Sequence, residues 1–241
     1  MASSRFHSIF FDAGNTLVFP RLEDLAKDLT EQGYPATVAD FYAAERAGKE
    51  KLDAWLAPLI SSGQVPRMVD LVYWGEYLRT LVERIGPPEA ERERLIERVA
   101  NGFRDVEFWS RVQAGTTAFL ERLRAEGYYL GVISNSVGTI ESQLMRLDLA
   151  RYFDTIIDSF IVGVEKPHPE IFQIALERAK AKGSETIFVG DTYATDVGGA
   201  RLSGLYGVLI DRAGAYAHCV ETLDCPRITS LPELTRILEG W

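Results

Sequence analysis

The sequence predicts an α/β protein, in which helices cover a parallel β-sheet and an all-helical segment is inserted after the first strand. Two observations indicate this class. From residue 113 onward, short runs rich in β-branched and aromatic residues alternate with amphipathic stretches, the pattern of repeated strand–helix units. Residues 20–108 contain almost no such runs and have the pattern of successive helices. We therefore assign residues 1–19 and 109–241 to the core and residues 20–108 to the insert.

Five apolar segments are the predicted strands of the core. The first, HSIFFDA, is a nearly continuous apolar run, which suits a strand buried on both faces of a sheet. The others are YLGVIS (129–134), TIIDSF (155–160), TIFVGD (186–191) and YGVLID (206–211). The C-terminal stretch PRITSLPELTRILEG predicts a short edge strand followed by a closing helix.

Helix signals separate these strands. Thr116 is the predicted N-cap of a helix that ends at Gly127, and a second helix is predicted to begin at Pro169 and end at Gly183. In the insert, two amphipathic stretches and one highly charged stretch predict helices. We expect most aromatic residues of the insert to fill its small core, with a substrate pocket as the alternative. These residues are Phe41, Tyr42, Trp55, Tyr73, Trp74 and Tyr77.

Charge and composition argue against several classes of function. The net charge of −9, without a Lys/Arg cluster, disfavours binding to nucleic acid, which needs a basic surface. The apolar runs are shorter than the roughly 20 residues that span a bilayer, and residues 1–8 lack the apolar stretch of a signal peptide. The two cysteines lack CxxC spacing and indicate neither a disulfide framework nor a zinc site. We expect a cytoplasmic protein that binds neither nucleic acid nor membrane.

Polar side chains stand at the ends of the predicted strands. In a doubly wound sheet, the carboxyl ends of parallel strands face one crevice, where ligands bind. Each of these residues alone is common in turns and at helix starts, so the prediction depends on their combination. Three carboxylates, a hydroxyl and a lysine can together hold Mg²⁺ and a phosphoryl group. These five groups belong to Asp12, Asp191, Asp196, Ser134 and Lys166, and Asn135 follows Ser134 at the end of the same strand.

Four stretches, FFDAGNTL, VISNS, EKPHPEIF and GDTYATD, resemble in type and order the four motifs of the haloacid dehalogenase (HAD) superfamily of hydrolases. The resemblance covers the strand-and-helix part of the chain. It implies a Rossmann-like, three-layer core with a helical C1-type cap between the first and second motifs. The insert at 20–108 lies at that place in the sequence.

The resemblance also implies roles for the core residues. Asp12 corresponds to the nucleophile that forms an aspartyl-phosphate, and Lys166 assists it. Ser134, Asn135 and Lys166 correspond to the groups that bind the phosphoryl oxygens. The implied substrate is a small phosphorylated molecule. A lysine suits this task because a carboxylate that attacks phosphorus must overcome the repulsion between two anions.

The implied cofactor is Mg²⁺. Its expected ligands are the carboxylates of Asp12 and Asp191 and the backbone carbonyl of Gly14. Asp196 is expected to support the metal-bound waters or to orient Lys166. A carboxylate beside Lys166 would also keep the lysine protonated.

Gly14 departs from the pattern of most HAD phosphatases, which carry Asp-x-Asp-x-Thr. The second Asp of that pattern protonates the leaving alcohol and later activates water. General acid–base catalysis is typically worth about 10² to 10⁴ in rate. We therefore expect a weak or narrow enzyme, most handicapped on alkyl phosphates and least on acyl or aryl phosphates.

Two alternatives remain open at this stage. One is a sibling chemistry of the superfamily: haloacid dehalogenation, or phosphonate cleavage through a Schiff-base lysine of the cap. Lys27, Lys49 and Lys51 are the candidates for that lysine, although all three are expected to be solvated helix charges. The other alternative is a non-catalytic module that binds phosphorylated ligands or a partner protein. The sequence does not indicate an oligomeric state.

Overall fold

The computed structural model describes residues 5–240, and its core is a six-stranded sheet. The strand order is β5-β4-β1-β6-β7-β8, and every neighbouring pair is parallel. Strands β2 and β3 form a separate antiparallel ribbon. The strands are β1 (Ser8–Phe11), β2 (Val18–Pro20), β3 (Trp109–Val112), β4 (Tyr129–Ser134), β5 (Thr155–Asp158), β6 (Thr186–Gly190), β7 (Tyr206–Ile210) and β8 (Arg227–Ile228).

Ten α-helices complete the described part of the chain. Four lie between β2 and β3: α1 (Leu22–Glu31), α2 (Val38–Ser61), α3 (Asp70–Ile85) and α4 (Arg92–Arg104). The others are α5 (Thr116–Ala125), α6 (Ile140–Arg146), α7 (Ser159–Val162), α8 (Pro169–Ala179), α9 (Gly199–Leu202) and α10 (Leu234–Glu239). A π-helical turn, Tyr193–Gly198, runs directly into α9. Among the described residues, no helix combines the length and apolarity needed to cross a bilayer.

The α/β prediction with a parallel sheet is confirmed, and the differences from the sequence prediction are local. The predicted strand 155–160 ends at Asp158, because the Asp158 carboxylate accepts the N–H of Phe160 and caps α7. The β2–β3 ribbon was not predicted. It pairs the residues on either side of the insert and includes Pro20, which the sequence analysis places inside the insert.

Two predicted helix signals are wrong. The N-cap of α5 is Gly115, with φ 85°, and Thr116 is the first helical residue. Helix α8 ends at Ala179 rather than at Gly183, because Lys180 takes the left-handed conformation. The N–H of Ala181 then bonds back to the carbonyl of Leu176, which closes the helix end.

The insert has an apolar cluster of its own. Buried residues of α1 to α4, among them Phe41, Tyr77 and Leu81, pack together. A smaller cluster joins Leu52 and Leu56 of α2 to Ala194 in the π-helical turn of the core. The insert therefore packs on the carboxyl edge of the sheet, next to the residues singled out by sequence.

Candidate active site

One cavity of about 790 Å³ opens at the carboxyl edge of the sheet, between the core and the insert. All seven residues assigned by sequence to the site line it: Asp12, Gly14, Ser134, Asn135, Lys166, Asp191 and Asp196. They arrive together because β1, β4 and β6 are adjacent and parallel, so their ends lie side by side.

Asp12 follows β1 directly, and its N–H still bonds to the carbonyl of Val189 in β6. The chain then turns tightly, and the N–H groups of Leu17 and Val18 both bond to the carbonyl of Ala13. This turn carries the backbone from the end of β1 into β2. It also places Gly14 beside the nucleophile position.

Gly14 faces an indole ring. A Cβ atom added there would lie 3.4 Å from the ring of Trp109, which opens β3. The Trp109 ring is held by a 2.9 Å hydrogen bond that its Nε1 donates to the carbonyl of Phe103. The space beside position 14 is therefore occupied by an aromatic surface rather than by an acid.

Lys166 joins two carboxylates in the buried centre of the site. Its Nζ lies 2.6 Å from Oδ1 of Asp12 and 2.8 Å from Oδ1 of Asp196. Burial lowers the pKa of Lys166, but these two carboxylates outweigh it and hold the pKa above its ordinary value. The lysine is therefore an ammonium group.

Asn135 holds the backbone of Lys166 in place. Its Oδ1 accepts the N–H of Lys166 at 2.8 Å, and its Nδ2 donates to the carbonyl of Lys166 and to Oδ1 of Asp70, both at 3.1 Å. The side chain expected to bind a phosphoryl group thus positions the lysine. Ser134 is different, since its hydroxyl lies 3.5 Å from the Asn135 carbonyl, too far for a strong hydrogen bond, and stays available to a ligand.

Asp191 is paired with a lysine of the insert. The Nζ of Lys49, on α2, lies 2.8 Å from Oδ2 of Asp191 and 2.7 Å from Oε1 of Glu45. Burial lowers the pKa of Lys49, but Asp191 and Glu45 outweigh it and raise the pKa well above its ordinary value. The expectation of a solvated Lys49 is wrong, because its side chain is only 4% exposed. Lys27, by contrast, has an exposed side chain.

These ion pairs leave a surplus of negative charge. Two lysines, Lys49 and Lys166, each bridge two carboxylates, so when all four carboxylates are ionised, two positive charges face four negative ones and the net charge is −2. Burial raises the pKa of Asp12 to about 7, with a further contribution from the carboxylates of Asp196 and Asp191 and opposition from Lys166. One divalent cation would balance the surplus.

The donor chemistry fits Mg²⁺. The carboxylates of Asp12 and Asp191 and the backbone of Gly14 line one cavity, and oxygen is the donor that Mg²⁺ prefers. Within residues 5–240, no three His, Cys, Asp or Glu side chains are arranged as a metal site. The cation that contacts Asp191 here is the Lys49 ammonium, which holds one of its two oxygens.

Comparison with known proteins identifies the family. The family model of haloacid dehalogenase-like hydrolases matches residues 6–204, most of the chain. The chain belongs to this family of HAD-like hydrolases. The predictions of the superfamily and of a hydrolase are therefore confirmed.

Relatives of this HAD-like hydrolase include phosphatases. A phosphoserine phosphatase from Thermus thermophilus is 31% identical over 79% of this chain and 80% of its own length. A glyceraldehyde 3-phosphate phosphatase from Pyrococcus furiosus is 37% identical over 52% of this chain, but the match spans only 53% of that enzyme. A HAD hydrolase from Bacillus subtilis, solved with magnesium, has a TM-score of 0.63 at 21% identity, covers 98% of this chain and 99% of its own, and shows that the fold is shared.

Sequence reasoning missed the residues that hold the insert of this HAD-like hydrolase on its core. Asp53 of α2 accepts the N–H of Ala194 and the hydroxyl of Tyr216, both at 2.9 Å. Burial raises the pKa of Asp53 to about 6. Glu45, Lys49 and Asp53 are spaced four residues apart and share one helix face. That charged stripe beside apolar positions was the available signal.

Proposed function

We propose that this HAD-like hydrolase is a Mg²⁺-dependent phosphatase that uses Asp12 as its nucleophile. The observation that carries the proposal is the buried Lys166 ammonium, 2.6 Å from Asp12 and 2.8 Å from Asp196. A cation at this position lowers the repulsion between the Asp12 carboxylate and a phosphate dianion. The phosphatase relatives support the same reaction class.

The proposed reaction has two steps. An Asp12 carboxylate oxygen attacks phosphorus, the bond to the leaving oxygen breaks, and an aspartyl-phosphate forms. Water then attacks the phosphorus of this intermediate, which releases inorganic phosphate and restores Asp12. The ammonium of Lys166 and the hydroxyl of Ser134 stabilise the charge on the phosphoryl oxygens. Bound by Asp12, Asp191 and the carbonyl of Gly14, Mg²⁺ would supply further positive charge at this point.

Gly14 makes the proposed enzyme selective for good leaving groups. A glycine keeps the backbone carbonyl but supplies no proton to the departing oxygen. Within residues 5–240, the Trp109 ring and no acidic side chain lies within 4 Å of a Cβ placed at this position. The best substrates are therefore phosphorylated compounds whose leaving group is stable as an anion, such as a carboxylate or a phenolate.

The environment of Lys49 argues against the phosphonate-cleaving alternative. Lys49 is the candidate lysine that lies in the site, as a Schiff-base mechanism requires. A Schiff base forms from a neutral amine, however, and Lys49 is held as an ammonium between Asp191 and Glu45. Borohydride trapping with a carbonyl-bearing phosphonate tests this point, and an adduct on Lys49 would favour the alternative chemistry.

A direct test is incubation of the purified protein with Mg²⁺ and acetyl phosphate. We expect phosphate release together with a mass increase on Asp12, both lost in Asp12→Asn. An adduct that accumulates would place the slow step in its hydrolysis, as a missing base at position 14 predicts. Neither release nor adduct would contradict the proposal and favour a binding module.

A further inference from the structure

The cavity beyond Asp12 has an aromatic wall. Ring contacts run from Trp109, beside Gly14, through Phe103 to Trp74, with centroid distances of 6.0 and 5.1 Å. The cluster continues to Tyr77 at 5.4 Å from Trp74. Six aromatic residues line the same cavity as the catalytic groups. They are Tyr73, Trp74, Tyr77, Phe103 and Trp109 from the insert and ribbon, and Phe160 from α7.

Exposed apolar side chains surround the same cavity. Met68, Leu71, Val137 and Phe160 line it although each is between 65% and 89% exposed. Exposed apolar residues gathered around one cavity, rather than scattered singly, mark a binding surface for an apolar group. The surface reaches from the insert, through Met68 and Leu71, to the core, through Val137 and Phe160.

The charges outside the phosphoryl site disfavour a second anionic group on the substrate. Carboxylates of Glu45, Asp70 and Glu165 line the cavity, and Arg104, an exposed residue, adds one cation. A substrate with a carboxylate next to its phosphate would face these acids. The wall therefore fits an uncharged group.

We propose that the preferred substrates are phosphate monoesters of uncharged phenols, whose ring packs against this wall. The inference rests on the proposed function and names its substrate class. Two independent features support this substrate class. The aromatic lining offers stacking partners for a ring. Gly14 supplies no general acid, and a phenolate leaving group can depart without one. A phenol ionises near pH 10, far more readily than an alkanol.

The reaction balances without a general acid. Asp12 attacks phosphorus, the P–O bond to the aryl group breaks, and the aryloxide leaves with the electron pair. Water attacks the aspartyl-phosphate, and the proton that it loses ends on the aryloxide in solution. The products are the phenol and inorganic phosphate.

The substrate test compares acetyl phosphate, phenyl phosphate and 1-naphthyl phosphate with Mg²⁺. The two aryl esters have leaving groups of similar acidity, so a difference between them reports contact with the ring. We expect KM to be about tenfold lower for 1-naphthyl phosphate, because the second ring buries additional apolar area. Acetyl phosphate has no ring and reports whether the phosphatase chemistry operates.

The variant test uses two neighbouring residues of α7. Phe160 and Ile161 are both 70% exposed, but Phe160 lines the cavity and Ile161 does not. Phe160→Ala should raise KM for 1-naphthyl phosphate about threefold to tenfold, the value of one aromatic contact. Ile161→Ala should leave it unchanged and should hydrolyse acetyl phosphate like the parent. Trp74→Leu is a second variant, in α3 of the insert, with the same expected direction.

The outcomes separate the two proposals. Acetyl phosphate hydrolysis that depends on Asp12, with equal KM for the two aryl esters, would overturn the substrate class and leave the phosphatase function standing. The substrate class would also be overturned if Phe160→Ala and Trp74→Leu both behaved like Ile161→Ala. No phosphate release from any of the three compounds would overturn the phosphatase function and the substrate class with it.

Discussion

Two residues of the first motif set the chemical character of the site. Asp12 is buried beside two other carboxylates, so its ionised form is costly in the metal-free protein. Gly14 carries no side chain where most HAD phosphatases carry an acid, and its backbone φ is not in the left-handed region. Both features predict measurable consequences of single substitutions.

Gly14→Asp should raise turnover of alkyl phosphates by at least about tenfold, because it supplies a proton to an alkoxide leaving group. The new Cβ would meet Trp109 at 3.4 Å, an ordinary van der Waals contact, so the fold should tolerate it. Steady-state phosphate release from glycerol 3-phosphate measures the effect. Gly14→Ala is the matched control, since it adds the Cβ without the acid, and an equal gain in both variants would contradict the acid role.

Asp12→Asn should stabilise the metal-free protein in a pH-dependent manner. The pKa of Asp12 is raised from 3.8 to about 7 in the folded state, so ionised Asp12 destabilises the folded protein. This destabilisation grows as pH rises from about 4 to about 7 and is complete above that range. At pH 8 in EDTA the variant should gain about 1–3 kcal/mol of unfolding free energy, and little at pH 4. Urea denaturation at the two pH values measures this difference. An equal gain at both would show that Asp12 ionisation is not its cause.

At the scale of elements, the insert depends on close packing between its two longest helices. Gly48 of α2 faces Tyr73 of α3, and a Cβ at Gly48 would lie 2.9 Å from the Tyr73 ring and 3.2 Å from its carbonyl oxygen. The same helix carries Lys49 and Asp53, which bond to Asp191 and Ala194 of the core. The glycine costs helix propensity and is kept for space.

Gly48→Ala should therefore destabilise the protein by about 1–3 kcal/mol through overpacking. Gly75, on α3, has open space around its Cβ position, so Gly75→Ala should stabilise by up to about 1 kcal/mol through helix propensity. Chemical denaturation of both variants compares the two effects. Stabilisation by both substitutions would show that α2 and α3 pack less closely than described.

At the scale of the whole molecule, the insert and the core share one electrostatic site. Lys49 and Asp53 bind groups of the core, and the β2–β3 ribbon joins the two parts covalently. In the proposed enzyme, Lys49 and a metal ion compete for Asp191. In that enzyme, docking of the insert and binding of Mg²⁺ would be coupled through the single carboxylate of Asp191.

Lys49→Met should increase Mg²⁺ affinity by about tenfold or more, which is about 1.4 kcal/mol, because the competing ammonium is removed and Glu45 adds its negative charge. Titration calorimetry of the metal-free protein measures this directly, without reference to turnover. Lys51→Met, on an exposed position of the same helix, is the matched control. Equal Mg²⁺ affinities in both variants would show that Lys49 does not compete with the metal ion for Asp191.

Much of the fold and site could be predicted because the signals are local. Strands such as β4 and β6 carry continuous apolar runs, and the polar residues that follow them are brought together by parallel pairing alone. The β2–β3 ribbon escaped prediction because each strand is only three or four residues long and its partner lies about 90 positions away. The helix ends predicted at Thr116 and Gly183 were wrong because Gly115 is the N-cap of α5 and Lys180 is the C-cap of α8.

Local periodicity and the four motif stretches are sufficient for the α/β class, the helical insert and the convergence of Asp12, Lys166 and Asp191, since each depends on burial pattern or on strand order. The burial of Lys49 and the contact of Trp109 with Gly14 depend on how α2 and β3 pack on the sheet edge. A lysine on an amphipathic helix has the same local sequence signature whether it faces water or a buried carboxylate. The packing of the insert on the core thus determines the charge balance around Asp191 and the aromatic surface beside Gly14.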